Sequence, residues 1–167
     1  MDSTVAAALA ARLARLEAVD AIRQLKARYF HSCDGKDPDA MRACFVHGPA
    51  EIDYGALGTF NDREGLVRLF TQLGCHPNLL EMHHGSNPDI TLIDADHACG
   101  QWSLHYQQID TEKRTVTQLG AVYYDRYRRV DGAWKISATR CEVTSCMVVS
   151  MADGVSQVVH AGRGLPA

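Results

Sequence analysis

The chain of 167 residues lacks any C-x-x-C pair, its six cysteines (Cys33, Cys44, Cys75, Cys99, Cys141 and Cys146) being scattered along it. That spacing argues against zinc-ribbon and thioredoxin-type chemistry. Neither an i, i+4 helical histidine pair nor a carboxylate signature accompanies His31, His83, His84 and His105, so no metal site is expected. The G-x-G-x-x-G, P-loop, G-x-S-x-G and H-E-x-x-H patterns are all missing. Nicotinamide, nucleotide triphosphate and α/β-hydrolase chemistry lose their usual markers with them, and no cofactor is expected. Uncharged apolar runs of about 18 residues, the length that crosses a bilayer, are missing too, which disfavours a membrane partner. Charge of one sign is scarce: 17 basic residues stand against 20 acidic ones, a formal charge of −3. A chain so balanced has no electrostatic excess with which to grip a phosphate backbone, and nucleic acid is disfavoured.

What remains is an ordinary globular composition, 46% apolar and 22% charged. The alanine-rich start, Val5 to Ala11, is interrupted by Arg12, Arg15 and Glu17 and reads as the first helix rather than a signal peptide. Reduced thiols in a cytoplasmic protein are the corresponding expectation. Leu9, Leu13, Leu16, Val19, Ile22, Leu25 and Tyr29 recur at helical spacing, with Arg12, Arg15, Glu17, Arg23 and Lys26 between them. The pattern predicts one long helix, with a break near Asp20 allowed, ending at Cys33–Asp34, where Gly35 takes the left-handed stop position. Asp37-Pro38 supplies an N-cap and first residue for a second helix through Phe45. A third helix is expected from Asn61, with Glu64 as capping-box partner, to Gly74.

After His83 the period changes to two. Ile90–Ile93 reads as a short strand, and Gly100–Ile109 alternates with Trp102, Leu104 and Tyr106 on one face. Thr115–Val130 and Ala133–Val143 are two strands joined by Asp131-Gly132, a strong hairpin signal. Helices first and an antiparallel sheet after them make the class α+β, with helices across a curved sheet and a pocket between the layers. Residues 1–147 are expected to form a single domain. The tail over 148–167 is open between a lid, an interface arm and disorder.

Three stretches place ionisable groups where elements meet loops. Tyr29-Phe-His-Ser-Cys-Asp34 closes the long helix, and a carboxylate at a helix C-terminus is electrostatically unfavourable without some other reason for it. Glu81-Met-His83-His84-Gly85-Ser-Asn87 puts His83, Gly85 and Asn87 on one side of an extended segment, and His83 is a natural general base near neutral pH. Ala50-Glu51-Ile52-Asp53-Tyr54 ends on a tyrosine able to hold a leaving oxygen. Each also has an ordinary structural reading: a turn aspartate, a satisfied histidine, a packed aromatic. Arg140, inside the last strand, reads either as a solvated cation or as one aimed at an anion in the cavity. Trp102 and Tyr106, with Phe70 and Met147, are candidate pocket walls.

The long helix closing on Y-F-H-S-C-D-G-K-D, the I-D-Y strand, the M-H-H-G-S-N segment and the Y-R-R-V-D-G-A-W-K-I hairpin together resemble the SnoaL-like branch of the nuclear-transport-factor-2-like superfamily, over roughly residues 10 to 147. The resemblance implies a cone-shaped α+β barrel and cofactor-free elimination chemistry of the kind run by scytalone dehydratase, hexachlorocyclohexane dehydrochlorinase and bile acid 7α-dehydratase. By motif, the catalytic aspartate is Asp34 and its histidine His83. Tyr54 matches a tyrosine that holds substrate through water, and Tyr29, Trp102, Tyr106 and Arg140 complete the candidate substrate-binding set. The second histidine of scytalone dehydratase has no clear counterpart, since His105 has the wrong parity, and Tyr123 stands roughly where its asparagine would be. The implied partner is a small hydrophobic, cyclic molecule. The implied assembly is a homo-oligomer, dimer or trimer, formed over the outer sheet face. A ketosteroid-type isomerase or a non-catalytic binding module are the alternatives on the same fold.

Overall fold

The computed structural model describes residues 3–163 and 165–166. Helix α1 spans Ser3–Asp34 and α2 Pro38–Ala43, followed by β1 (Pro49–Asp53), β2 (Thr59–Asp62) and α3 (Arg63–Leu73). Long strands then take over: β3 (Leu79–Leu92), β4 (His97–Asp110), β5 (Thr115–Val130) and β6 (Ala133–Ser150), with a short β7 (Gln157–Gly162) after them. The sheet runs β2-β1-β6-β5-β4-β3, and β7 pairs with the far half of β6. Among the named strands of the described residues only the β1–β6 pairing is parallel, so the sheet is mixed, and it stays open between β2 and β3. The α+β architecture is as the residue pattern predicts. The barrel is not closed.

Local chemistry explains most boundaries. Asp131 and Gly132, at φ 50° and 77°, turn the β5–β6 hairpin with the positive dihedrals its tight turn demands. Asp37 caps α2 by accepting from the Asp39 and Ala40 amides, and Pro38 opens it. The structure corrects several finer expectations. Helix α1 passes Asp20 without a break, and the left-handed residue after it is Lys36 (φ 55°), not Gly35. Helix α2 stops at Ala43. The cap of α3 is Asp62, which accepts from Gly65 N at 2.9 Å, while Glu64 turns away to Arg42 and Arg63. Most consequentially, Ile90 belongs to one long strand that starts at Leu79. Pro88 lies within it because β3 is an edge strand and a bulge falls between Ser86 and Asp89, where a missing amide costs no ladder bond. The bulge puts Asn87 at φ 50° and turns it to the half-buried Ser103, out of step with His83.

The core lies where the second half of α1 crosses β3–β6. Ile22, Leu25, Tyr29, Phe30 and Cys33 face Trp102, Tyr123, Tyr127 and Ile136. Gly85 permits the approach, since a Cβ there would lie 2.2 Å from the Phe30 ring. Lys26 departs most from the sequence pattern: it is fully buried, its Nζ 2.8 Å from Asp125 Oδ2 but off hydrogen-bond geometry. The ammonium rests 3.6 Å from the centroid of the Tyr123 ring, with Tyr29 and Phe30 at 5.0 and 5.1 Å. Asp125 is satisfied from two further sides, by Tyr127 Oη and Thr139 Oγ1, each at 2.7 Å, and Tyr127 in turn accepts from Trp102 Nε1 at 2.9 Å.

Removing one member of a buried pair strands the other charge. Lys26→Met is expected to destabilise the fold by about 3–5 kcal/mol in chemical denaturation, and Lys26→Met combined with Asp125→Leu to recover a large part of that loss.

Candidate active site

Two elements that meet only through the core bring the central pair together. Asp34 is the last residue of α1, and His83 is the fifth residue of β3, the strand on which α1 packs. The carboxylate Oδ1 lies 2.6 Å from His83 Nδ1, and Oδ2 accepts from the His83 backbone N–H at 3.1 Å. Since an ionised carboxylate only accepts, Nδ1 carries the proton and Nε2 is left as the basic lone pair. The ring is sandwiched, stacked on Phe30 at 5.9 Å and tilted against Tyr106 at 4.7 Å. An aspartate that is electrostatically misplaced at a helix C-terminus thus finds its compensation in the strand.

His83 lines two adjoining lobes of a chamber, of about 300 and 460 Å³. Cavities of a few hundred Å³ suit small organic ligands. Tyr54, Leu57, Glu81, Tyr106, Gln108 and Tyr123 border both lobes. Phe70 closes one on the α3 side, and Leu104, Leu119 and Val143 line the other. Tyr54, just past β1, meets Tyr29 of α1 hydroxyl to hydroxyl at 2.5 Å. Glu81 stands two residues before His83 on the same strand face. It accepts from Tyr106 Oη at 2.6 Å and Lys36 Nζ at 3.0 Å, with Gln108 Nε2 at 3.4 Å.

Burial decides the protonation of the walls. It holds the hydroxyls of Tyr29, Tyr54 and Tyr123 well above the ordinary phenol range, so they serve as neutral donors. It also pushes the Cys33 thiol up to about 12 and Cys141 to about 11, which removes both as nucleophiles. Burial works against the Asp34 charge too, but the hydrogen bonds from the His83 side chain and backbone hold this carboxyl below its usual 3.8. No group of three or more His, Cys, Asp or Glu among the described residues could hold a metal ion.

Of the sequence candidates, Asp34, His83, Tyr29, Tyr54 and Tyr106 converge on this chamber, and three do not. Trp102 is 6% exposed, spends its indole N–H on Tyr127 and borders a separate depression that His83 also lines, rather than either lobe of the chamber. Arg140 points out of the opposite sheet face, one residue out of phase with Cys141, which lines the chamber. It pairs with Glu142 at 2.9 Å and stacks 4.3 Å over Tyr124 beside an outer groove. Met147 likewise borders a separate depression near β7. The sequence reading left out Glu81 and Lys36 as chamber groups, although the shared parity of Glu81 and His83 was a usable signal. It noted Tyr123 only as standing near an asparagine's place.

A carboxyl whose folded value lies below its unfolded one stabilises the fold at pH values above the unfolded value and loses that effect as pH falls through the folded one. The stability gap between the wild type and Asp34→Asn is therefore expected to be full above about pH 4–5 and to shrink on further acidification, as read by urea denaturation at a series of pH values.

Among solved structures, the fold is similar to a scytalone dehydratase-like protein from Novosphingobium aromaticivorans (TM-score 0.74, 21% identity, 92% of this chain and 97% of that one). It is also similar to a type 2 hexachlorocyclohexane dehydrochlorinase (TM-score 0.72, 21% identity, 93% and 97%) and to the type 3 enzyme from Novosphingobium barchaimii (TM-score 0.71, 21% identity, 93% and 99%). At that identity the likeness speaks for the fold. The SnoaL-like domain model matches residues 14–140, from within the first half of α1 into β6, and the chain belongs to the SnoaL-like domain family.

Proposed function

We propose that this protein is a cofactor-independent lyase that eliminates water or halide from a small, largely apolar, cyclic substrate by means of an Asp34–His83 dyad. The observation that carries the reading is the 2.6 Å contact between Asp34 and His83 Nδ1 beside a chamber whose walls are mostly apolar and aromatic. Nε2 takes a proton from a carbon next to an activating group. Asp34 fixes the tautomer and stabilises the imidazolium that forms. The Tyr54 hydroxyl, held by Tyr29, gives a hydrogen bond to the departing oxygen or halide and keeps its own proton; the proton taken by Nε2 passes to a leaving hydroxide, which departs as water, or to solvent when halide leaves. The dehydratase and dehydrochlorinase names of the structural neighbours agree with this class of reaction.

Glu81 narrows the substrate. A carboxylate offers about four lone-pair sites, and Tyr106, Lys36 and Gln108 occupy three of them. The remaining acceptor capacity sits on the same strand face as His83, where it would take a hydroxyl on the substrate ring.

The test is a panel of hydroxylated and chlorinated cyclic compounds, followed by mass spectrometry for loss of water or chloride. Asp34→Asn and His83→Ala are expected to keep the circular dichroism spectrum and lose turnover by about 10²–10⁴-fold, the usual contribution of a positioned base. Undiminished turnover in folded variants would remove the dyad from the mechanism. A product isomeric with the substrate would assign the site to proton shuttling instead. Tyr54→Phe is expected to lower kcat more than it changes KM, and Glu81→Gln to raise KM for substrates with the ring hydroxyl more than for those without it.

A further inference from the structure

Helix α1 is far longer than its packing requires. Its buried residues begin at Ile22, whereas Val5, Leu9, Leu13 and Leu16 are 50%, 50%, 56% and 68% exposed. These side chains are not scattered. Ala6, Leu9, Leu13 and Leu16 fall at successive a and d positions of a heptad pattern, the seam along which two helices pair. The seam also faces away from the protein's own body. Leu16 and Leu25 are nine residues apart, about two and a half helical turns, so Leu25 in the core and Leu16 in solvent lie on opposite sides of the helix.

We infer that this seam is an interface with a second copy of the same chain, formed by parallel pairing of the N-terminal halves of two α1 helices. Charge complementarity identifies the occupant. In this register Arg12 is a g position and Glu17 the following e position, and a parallel pair brings g of one helix against e of the other. The contact Arg12 to Glu17 of the partner subunit therefore forms twice by symmetry. Asp20 stands at the next a position and ends the apolar run where the helix enters the body. Because the seam and the body lie on opposite sides of α1, the pairing leaves the two bodies outside the helix pair and both chambers uncovered. The inference concerns a surface apart from the outer sheet face, and it is independent of the chemistry proposed above.

Sedimentation velocity of the full chain over a range of concentrations tests it. The wild type is expected to show a concentration-dependent dimer. Leu13→Glu combined with Leu16→Glu should leave a monomer with an unchanged circular dichroism spectrum. Arg12→Glu alone should weaken the dimer at least several-fold, and Arg12→Glu together with Glu17→Arg should restore it. A wild type that stays monomeric throughout, or an oligomer indifferent to the leucine substitutions, overturns the proposal. Failure of the double charge exchange to outperform Arg12→Glu overturns the parallel register.

Discussion

The seating of α1 on the sheet rests on the ion pair between Lys26 and Asp125. A cation and an anion withdrawn from water gain little net stability from each other, and a pair of apolar side chains would often do as well. The pair supplies selectivity of position. Lys26 meets its counter-charge at one rotation and one height of the helix, and the surrounding faces of Tyr29, Phe30 and Tyr123 reward the same placement. The anion is pinned in turn by Tyr127 and Thr139, so the sheet contributes a fixed point rather than a mobile side chain.

Eight residues beyond Lys26, about 12 Å along a helix, the chain reaches Asp34 opposite His83. Tyr29 lies between these two points and carries the same constraint to Tyr54. A rigid helix therefore delivers both the acidic partner of the imidazole and one half of the hydroxyl pair, while β3 delivers the imidazole and Glu81. The chamber is assembled at the meeting of two elements whose relative placement is settled deeper in the core.

Some of this arrangement was legible in the residues. The end of α1 at Asp34, the Asp37-Pro38 start of α2, the hairpin at Asp131-Gly132 and the alternation in β4 follow from local stereochemistry, and Asp34 and His83 sat in recognisable stretches at the margins of their elements. Other features were hidden for stated reasons. Alternation assigns Trp102 and Tyr106 to one sheet face, but it does not divide that face into core and chamber, and the two residues fall on different sides of the division. Arg140 depends on strand phase, where a shift by one residue exchanges inside for outside. Lys26 looks like a solvated charge between apolar neighbours, and its spacing from Ile22 and Tyr29, which places it on the buried stripe, becomes informative once a buried counter-charge is known. The short strand expected over Ile90–Ile93 is part of β3, because the sheet accommodates Pro88 at a bulge.

The thiols on the chamber wall have a bearing on durability. Eliminations next to a carbonyl leave conjugated alkenes, which alkylate thiolates readily. A cavity walled by reactive cysteines would be consumed by its own product. With Cys33 and Cys141 kept protonated by their surroundings, at about 12 and 11, the thiolate is scarce at neutral pH. If the chamber runs the proposed elimination, sulfur would serve there as compact apolar filling without being alkylated by the product.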